Sequence, residues 1–209
     1  MPWLAVAVTF VVGCIFFLPF PSWNEMVSFV VSATVISFAS GGIAVGALRR
    51  QLPDQERPFK LPGRDILPFA AFFCANLIVY WTGWLKNEKV FAGILLGYII
   101  FGIYHLVARD RVPPVRFKNG AWFPLWLAGL IAISYMSIYG HDPAGSWFPG
   151  GTGTIPFGWG VLVVAGWSVI IYAYAVWSRL SPEEAAENIR RTPDDRVRAS
   201  EEAAAEAGA

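Results

Sequence analysis

Residues 47–64 read ALRRQLPDQERPFKLPGR and join two long apolar segments, residues 26–48 and 66–85. Five of the sixteen Lys and Arg side chains lie in this stretch. In a membrane protein, short loops rich in Lys and Arg stay on the cytoplasmic side. Three prolines, Pro53, Pro58 and Pro62, exclude a continuous helix here. The stretch therefore predicts a cytoplasmic loop that lies extended at the membrane surface between two transmembrane helices.

The composition places the chain among integral membrane proteins. Of its 209 residues, 56% are hydrophobic and 15% are charged, whereas soluble domains carry about 25% charged residues. The net charge of +1 gives no basic surplus for binding nucleic acid. Cys14 and Cys74 both lie in apolar runs without metal-ligand spacing, which predicts two buried thiols and no disulfide. We therefore expect no metal, no cofactor and no nucleic-acid partner.

Six apolar segments each approach the ~20 residues that a bilayer-crossing helix needs. None of them contains Lys, Arg, Asp or Glu. The predicted spans are residues 3–19, 26–48, 66–85, 90–108, 122–140 and 157–178. The predicted fold is thus an all-α integral membrane protein, with a transmembrane region over residues 1–180. Residues 181–209 are predicted to form a cytoplasmic tail, which begins with a short helix capped by Ser181 and Glu184 and continues disordered.

The distribution of cations predicts the orientation of these spans. Residues 49–64, 109–118 and 179–198 hold fourteen of the sixteen Lys and Arg residues, and only Lys86 and Lys89 remain. Six alternating spans place the fourteen on one side, which the positive-inside rule assigns to the cytoplasm. We predict a multi-pass protein of the cytoplasmic membrane with both termini inside, and with residues 86–89 and 141–156 outside.

Small residues in the predicted spans indicate where helices pack closely. Ala39, Gly42 and Gly46 fall on one face of span 26–48, and Gly93 and Gly97 repeat the same spacing in span 90–108. Such spacing lets two helix backbones approach each other. We interpret these five residues as helix-packing positions.

Thr34, Ser37 and Gly41 form a neighbouring stripe on span 26–48. One interpretation is structural, with the hydroxyls bonded to carbonyls of their own helix. The other is that the stripe lines a polar pathway through the membrane. Catalytic residues are not expected in either case, because the polar residues of the spans are hydroxyls and Asn76, without paired carboxylates. The chain is therefore not predicted to be an enzyme.

The opening stretch also carries a resemblance to a known family. The pattern LRRQ-PD--RPFKLP, following a helix of small residues, resembles the loop after the tenth helix of amino acid permeases of the amino acid–polyamine–organocation superfamily. Residues 15–38, IFFLPFPSWNEMVSFVVSATVISF, resemble the ninth and tenth helices, and residues 71–84, AFFCANLIVYWTGW, resemble the eleventh. The remainder resembles the additional C-terminal helix pair of some of these permeases.

The resemblance implies a secondary transporter that moves an amino acid or related organic cation by alternating access. Such permeases contain two inverted five-helix repeats and bind substrate where broken helices meet at mid-membrane. Matched in order, this chain begins at the ninth helix, so the resemblance implies a fragment that lacks the substrate site. Its partners would be the lipid bilayer and the missing N-terminal helices, with an amino acid bound only in the complete transporter. No substrate residue is carried over, while a pathway role for Thr34, Ser37 and Gly41 is favoured.

Two further expectations follow. Without the missing helices, the faces formed by Ala39, Gly42 and Gly46 and by the neighbouring stripe would contact lipid. The alternative function is a self-contained six-helix membrane scaffold or partner-binding protein without transport, which an upstream reading frame for about eight more helices would exclude. The residues leave open the substrate, the coupling ion, the direction of transport and the oligomeric state. They also do not distinguish a truncated gene, a late start and a split polypeptide.

Overall fold

The computed structural model describes residues 3–17, 22–53, 63, 65–107, 117–139 and 146–190. Within these ranges the chain forms eight helices and no strand. They are α1 (Trp3–Phe17), α2 (Trp23–Gln51), α3 (Ile66–Thr82), α4 (Trp84–Val107), α5 (Phe117–Gly120), α6 (Trp122–Met136), α7 (Phe157–Trp177) and α8 (Pro182–Arg190). The centre of the basic loop, the cationic segment 109–116 and the tail from residue 191 onward lie outside the described residues.

A helix lies at each of the six predicted spans, and the prediction of an all-helical membrane protein is confirmed at this level. In the described part of the chain, α2, α4 and α7 are long and apolar enough to cross a bilayer, and α3 is a shorter apolar helix. α1 and α6 have 15 residues each. Six crossings and the inverted repeat remain predictions.

α2 has 29 residues and extends beyond the predicted span 26–48 at both ends. It begins after Ser22, whose side-chain oxygen accepts a hydrogen bond from the Glu25 backbone N–H at 3.3 Å. Glu25 in the first turn and Arg49 and Arg50 in the last turn complement the helix dipole. The charged residues that bound the apolar segment are therefore part of the helix.

The connection between α3 and α4 is shorter than predicted. It consists of Gly83, whose φ of 82° lies in the left-handed region that favours glycine. α4 begins at Trp84, so Lys86 and Lys89 lie in its first two turns and not in a loop. The structure differs from the prediction here because the side chains of Asn87, Glu88 and Lys89 find partners inside the protein, as described below.

The core lies where α2, α3, α6 and α7 meet. Phe72, Trp126 and Ile171 are fully buried there. The rings of Phe72 and Trp126 lie 5.5 Å apart between centroids, and Tyr172 completes the aromatic group at 6.2 Å from Phe72. Aromatic residues from three helices thus hold the bundle together by interlocking contacts.

α2 packs on this core through its small residues. Ala39 is 1% exposed. A Cβ atom added at Gly42 would lie 2.6 Å from the Pro68 carbonyl oxygen of α3, and one added at Gly46 would meet the Tyr172 hydroxyl of α7. The expectation that this face contacts lipid in the chain alone is therefore wrong, since α3 and α7 already cover it.

The turn after α6 returns onto the end of that helix. The N–H groups of Thr152, Gly153 and Ile155 donate to the carbonyls of residues 135, 137 and 136 at 3.0 Å each. These bonds satisfy carbonyl groups that a helix end otherwise leaves without partners. The segment before α7 is therefore fixed to the end of α6 by backbone hydrogen bonds.

The tail helix α8 starts with a reciprocal cap. The Glu184 N–H donates to the Ser181 hydroxyl at 3.2 Å, and the Ser181 N–H donates to the Glu184 carboxylate at 3.0 Å. These are the two bonds of a capping box. They explain why the helix begins at Pro182.

We predict that Gly42→Ala destabilises the chain, although alanine favours helix over glycine. The new methyl group would press on the α3 backbone at Pro68, and overpacking of this kind costs about 1–3 kcal/mol in the free energy of unfolding. Chemical unfolding of the purified chain in a mild detergent measures the effect.

Gly41→Ala is the matched control, because a Cβ at Gly41 meets no atom within 4 Å. It should leave stability unchanged or raise it by up to ~1 kcal/mol, the helix-propensity difference. Equal effects of the two substitutions would contradict the packing described here.

Candidate functional site

The centre of the bundle contains a buried polar triad formed by Asn76, Trp126 and Ser168. All three side chains are fully buried. The Asn76 amide donates to the Ser168 hydroxyl at 2.9 Å, and the Trp126 indole N–H donates to the Asn76 carbonyl at 3.0 Å. Ser168 in turn donates to the Val164 carbonyl at 2.7 Å. The triad joins α3, α6 and α7, and its mutual hydrogen bonds indicate a structural role.

A second asparagine, Asn87, anchors the start of α4. Its amide donates to the Val79 carbonyl of α3 at 2.7 Å and to the Ser134 hydroxyl of α6 at 2.9 Å. The Asn87 side chain is fully buried. The first turn of α4 is thereby tied to both neighbouring helices.

Next to Asn87 lies a group of charged residues that we call the charged cluster, formed by Glu25, Glu88 and Lys89. Glu88 is 3% exposed. Its carboxylate accepts hydrogen bonds from the N–H groups of Trp147 and Phe148 at 2.8 and 2.9 Å. The Ser146 hydroxyl donates to the same carboxylate at 2.8 Å. A buried charge with three donors is the arrangement in which a carboxylate is tolerated away from water.

Lys89 completes the charged cluster. Its Nζ lies 2.6 Å from the Glu25 carboxylate of α2 and 5.7 Å from the centre of the Trp147 ring. The Lys89 side chain is 9% exposed and that of Glu25 is 41% exposed. The pair therefore sits at the edge of the protein, and it connects α2, α4 and the turn at residues 146–148.

The α2 stripe, which we define as Thr34, Ser37 and Gly41, lies on the opposite side of α2 from the packed glycines. All three residues are exposed. The Thr34 hydroxyl donates to the Val30 carbonyl of its own helix at 2.7 Å. No atom lies within 4 Å of a Cβ placed at Gly41. The stripe is thus an open surface, separate from the charged cluster.

The other predicted packing positions lie on α4. A Cβ added at Gly93 would come within 3.3 Å of the Phe29 ring of α2, whereas one added at Gly97 would meet no atom within 4 Å. Gly93 therefore lies at the α2–α4 contact. Gly97 lies on the half of α4 that carries many exposed apolar side chains, among them Leu96, Ile100 and Ile103.

The charged cluster was not predicted from the sequence. Lys86 and Lys89 were assigned to an outer loop because charges usually end a membrane span. A signal was available in the length of that loop, since only residues 86–89 separate the two apolar segments. So short a connection brings its charges against neighbouring helix ends. Cys14 and Cys74 are free but exposed, so the prediction that both thiols are buried is wrong. In the described residues, no group of three or more His, Cys, Asp or Glu side chains could hold a metal ion.

This architecture defines a multi-pass helical membrane protein. The chain is 31% identical over 183 residues to the glutamate/serine transporter AimA of Bacillus subtilis (strain 168), covering 88% of this chain and 32% of that protein. It is 29% identical over 184 residues to the aspartate-proton symporter of the same organism, covering 86% and 33%. It is 33% identical over 82 residues to the branched-chain amino acid permease BcaP, also of B. subtilis, covering 39% and 17%.

These relatives are amino acid permeases, and the similarity lies in their C-terminal part. The predicted resemblance to the C-terminal portion of an amino acid permease of the amino acid–polyamine–organocation superfamily is thereby confirmed. The chain spans about a third of the length of the first two relatives. That its relatives are transporters fits a protein that is not an enzyme. No family profile matches the chain, and no solved structure matches it.

We predict that Glu88→Gln loosens the turn at residues 146–148. Glutamine has one acceptor oxygen and places an NH₂ group among N–H donors, so at least one charge-assisted hydrogen bond is lost. Bonds of this kind contribute about 1.5–3 kcal/mol. Hydrogen exchange at the Trp147 and Phe148 amides should become faster.

Glu183→Gln is the control, because Glu183 is exposed on α8. It should leave exchange at Trp147 and Phe148 unchanged. Unchanged protection of these amides in Glu88→Gln would show that the carboxylate does not hold the turn.

Proposed function

We propose that this chain forms the C-terminal part of a secondary active transporter that moves amino acids, or related organic cations, across the cytoplasmic membrane by alternating access. The observation that carries the proposal is the 31% identity to a glutamate/serine transporter over 88% of the chain. The names of the three relatives include acidic, hydroxylated and branched-chain amino acids. Their common feature is the α-amino acid itself, so we propose amino acids as the substrate class.

In this proposal the chain provides one wall of the transporter and not its substrate site. A zwitterion in the membrane interior needs charges, helix ends or free backbone groups to replace its hydration. The described charged residues of α2 and α4 lie toward helix ends: Glu25, Lys86, Glu88 and Lys89 at one end and Arg49 and Arg50 at the other. The exposed α2 stripe offers hydroxyls to a pathway, with the missing N-terminal helices as its partner.

A transport experiment tests the proposal. The purified chain is placed in liposomes under proton and sodium gradients, with labelled glutamate, aspartate, serine and branched-chain amino acids. We expect no saturable uptake by the chain alone, and uptake when the first two thirds of a related permease are co-expressed with it. Uptake by the chain alone would contradict the proposed position of the substrate site.

Two substitutions relate this experiment to the α2 stripe. Gly41→Leu should lower uptake by the assembled transporter, because a side chain would fill the open surface beside the stripe. It should not unfold the chain alone. Gly97→Leu serves as the control on α4, where a Cβ also meets no atom. If the co-expressed N-terminal helices of the related permease neither restore uptake nor co-purify with the chain, the alternative scaffold function is supported.

The proposed orientation has its own test. In a background with Cys14→Ala and Cys74→Ala, single cysteines are introduced by Thr154→Cys and Glu183→Cys, both at exposed positions. An impermeant maleimide should label the first variant in intact cells and the second only after permeabilisation. The reverse pattern would show that the termini are outside.

A further inference from the structure

Two adjacent cavities lie at the end of the bundle that carries Arg50, Lys118 and Arg179. The larger has a volume of about 560 Å³ and lies between α5, the end of α7 and the start of α8. The smaller has a volume of about 360 Å³ and lies between α2, α6 and α7. Both are lined by Asn119, Arg179 and Leu180, which form their common border.

The smaller cavity is an apolar groove. Ala44 and Ala47 of α2 form one side, and Ala175 and Leu180 the other, with Ile43 also in its wall. Alanine side chains leave room between the two helices that larger residues would fill. The groove follows α2 from Ser40 to Gln51, about three turns, and its mainly apolar lining suits a hydrocarbon chain.

The larger cavity, which we call the polar cavity, has the greater polar share of lining of the two and carries more positive than negative charge. Lys118 and Arg179 line it together with one carboxylate, that of Glu184. The Glu184 carboxylate accepts the Ser181 N–H in the α8 cap. The Asn119 amide is also used, since it donates to the Ser178 carbonyl at 2.8 Å.

Arg179 retains hydrogen-bonding capacity. Its Nη1 donates to the Val176 carbonyl at 2.9 Å at the end of α7. Its Nε–H is buried and has no hydrogen-bond partner within the described ranges. A buried guanidinium donor without a partner is unfavourable, and a phosphate oxygen is a ligand that guanidinium groups bind well.

We propose that the two cavities together bind one anionic glycerophospholipid, with its phosphate at Lys118 and Arg179 and an acyl chain in the groove beside Ala44 and Ala47. Basic pockets between membrane helices bind anionic headgroups in this way. Free phosphate would satisfy the cations but would leave the groove unused. The exposed Trp177 at the border of the polar cavity suits the membrane interface. This inference rests on the membrane insertion of the proposed function, but not on transport.

The experiment measures lipid retention by the full chain. The chain is equilibrated in vesicles of equal phosphatidylglycerol and phosphatidylcholine, extracted in mild detergent and examined by native mass spectrometry. We expect phosphatidylglycerol to be retained in preference to phosphatidylcholine. Lys118→Gln should lower this retention about fivefold, the equivalent of one cation near the surface. Arg179→Gln should lower it at least as much.

Matched variants separate the headgroup and acyl-chain contacts from misfolding. Arg179→Lys keeps the charge but lacks the Nε–H, so it should retain part of the preference that Arg179→Gln loses. Lys86→Gln removes a cation at the opposite end and should have no effect. Ala47→Phe should fill the groove and lower retention. Val45→Phe on the exposed face of the same helix should not.

The proposal would be overturned by equal retention of both lipids by the unaltered chain, by no loss in Lys118→Gln and Arg179→Gln, or by loss in the cation variants without loss in Ala47→Phe. Displacement of the lipid by inorganic phosphate would assign the polar cavity to free phosphate and would also overturn it. The experiment does not measure transport, so a negative lipid-retention result would not contradict the proposed transporter function, which is tested by uptake.

Discussion

Close backbone contact between α2 and its neighbours is the constraint on which the rest of this structure depends. At Gly42 the α2 backbone lies against the carbonyl of Pro68, and at Gly46 it lies against the Tyr172 hydroxyl. Without a hydrophobic driving force between helices in lipid, such close packing is a main source of association. A side chain at either position would separate α2 from α3 or α7. That separation would also change the shape of the groove beside Ala44 and Ala47.

Burial of polar groups fixes the other helices relative to this contact. Asn76 joins three helices through Trp126 and Ser168, and Glu88 accepts three hydrogen bonds from the turn before α7. In a bilayer each polar group must find its partner inside the protein, because lipid offers none. The observed arrangement of α3, α4, α6 and α7 satisfies these groups together. The bundle is therefore specified by direction-dependent bonds in addition to apolar packing.

The apolar runs were sufficient to predict where the helices lie, because a membrane span needs length and the absence of charge. The small-residue spacing of Ala39, Gly42 and Gly46 indicated a close contact, but the resemblance led to the wrong partner. In the chain alone that face is covered by α3 and α7. The helical start of α4 was missed because Glu88 and Lys89 are satisfied by residues distant in sequence, Trp147 and Glu25. The outward position of the α2 stripe also depends on which face α3 covers, which periodicity alone does not decide.

The length of α2 has a mechanical consequence. Its 29 residues rise about 43 Å at 1.5 Å per residue, and its uncharged segment, residues 26–48, rises about 35 Å. The hydrocarbon core of a bilayer is about 30 Å thick, so the charged ends reach the headgroup region. The remaining mismatch of a few ångströms is relieved by tilting or by local thickening of the bilayer. α2 forms an ion pair near each end: Glu25 pairs with Lys89 of α4, and Arg50 pairs with Asp65 beside α3. A tilt of α2 relative to α3 and α4 would therefore change the geometry of both ion pairs, which lie at opposite ends of the helix.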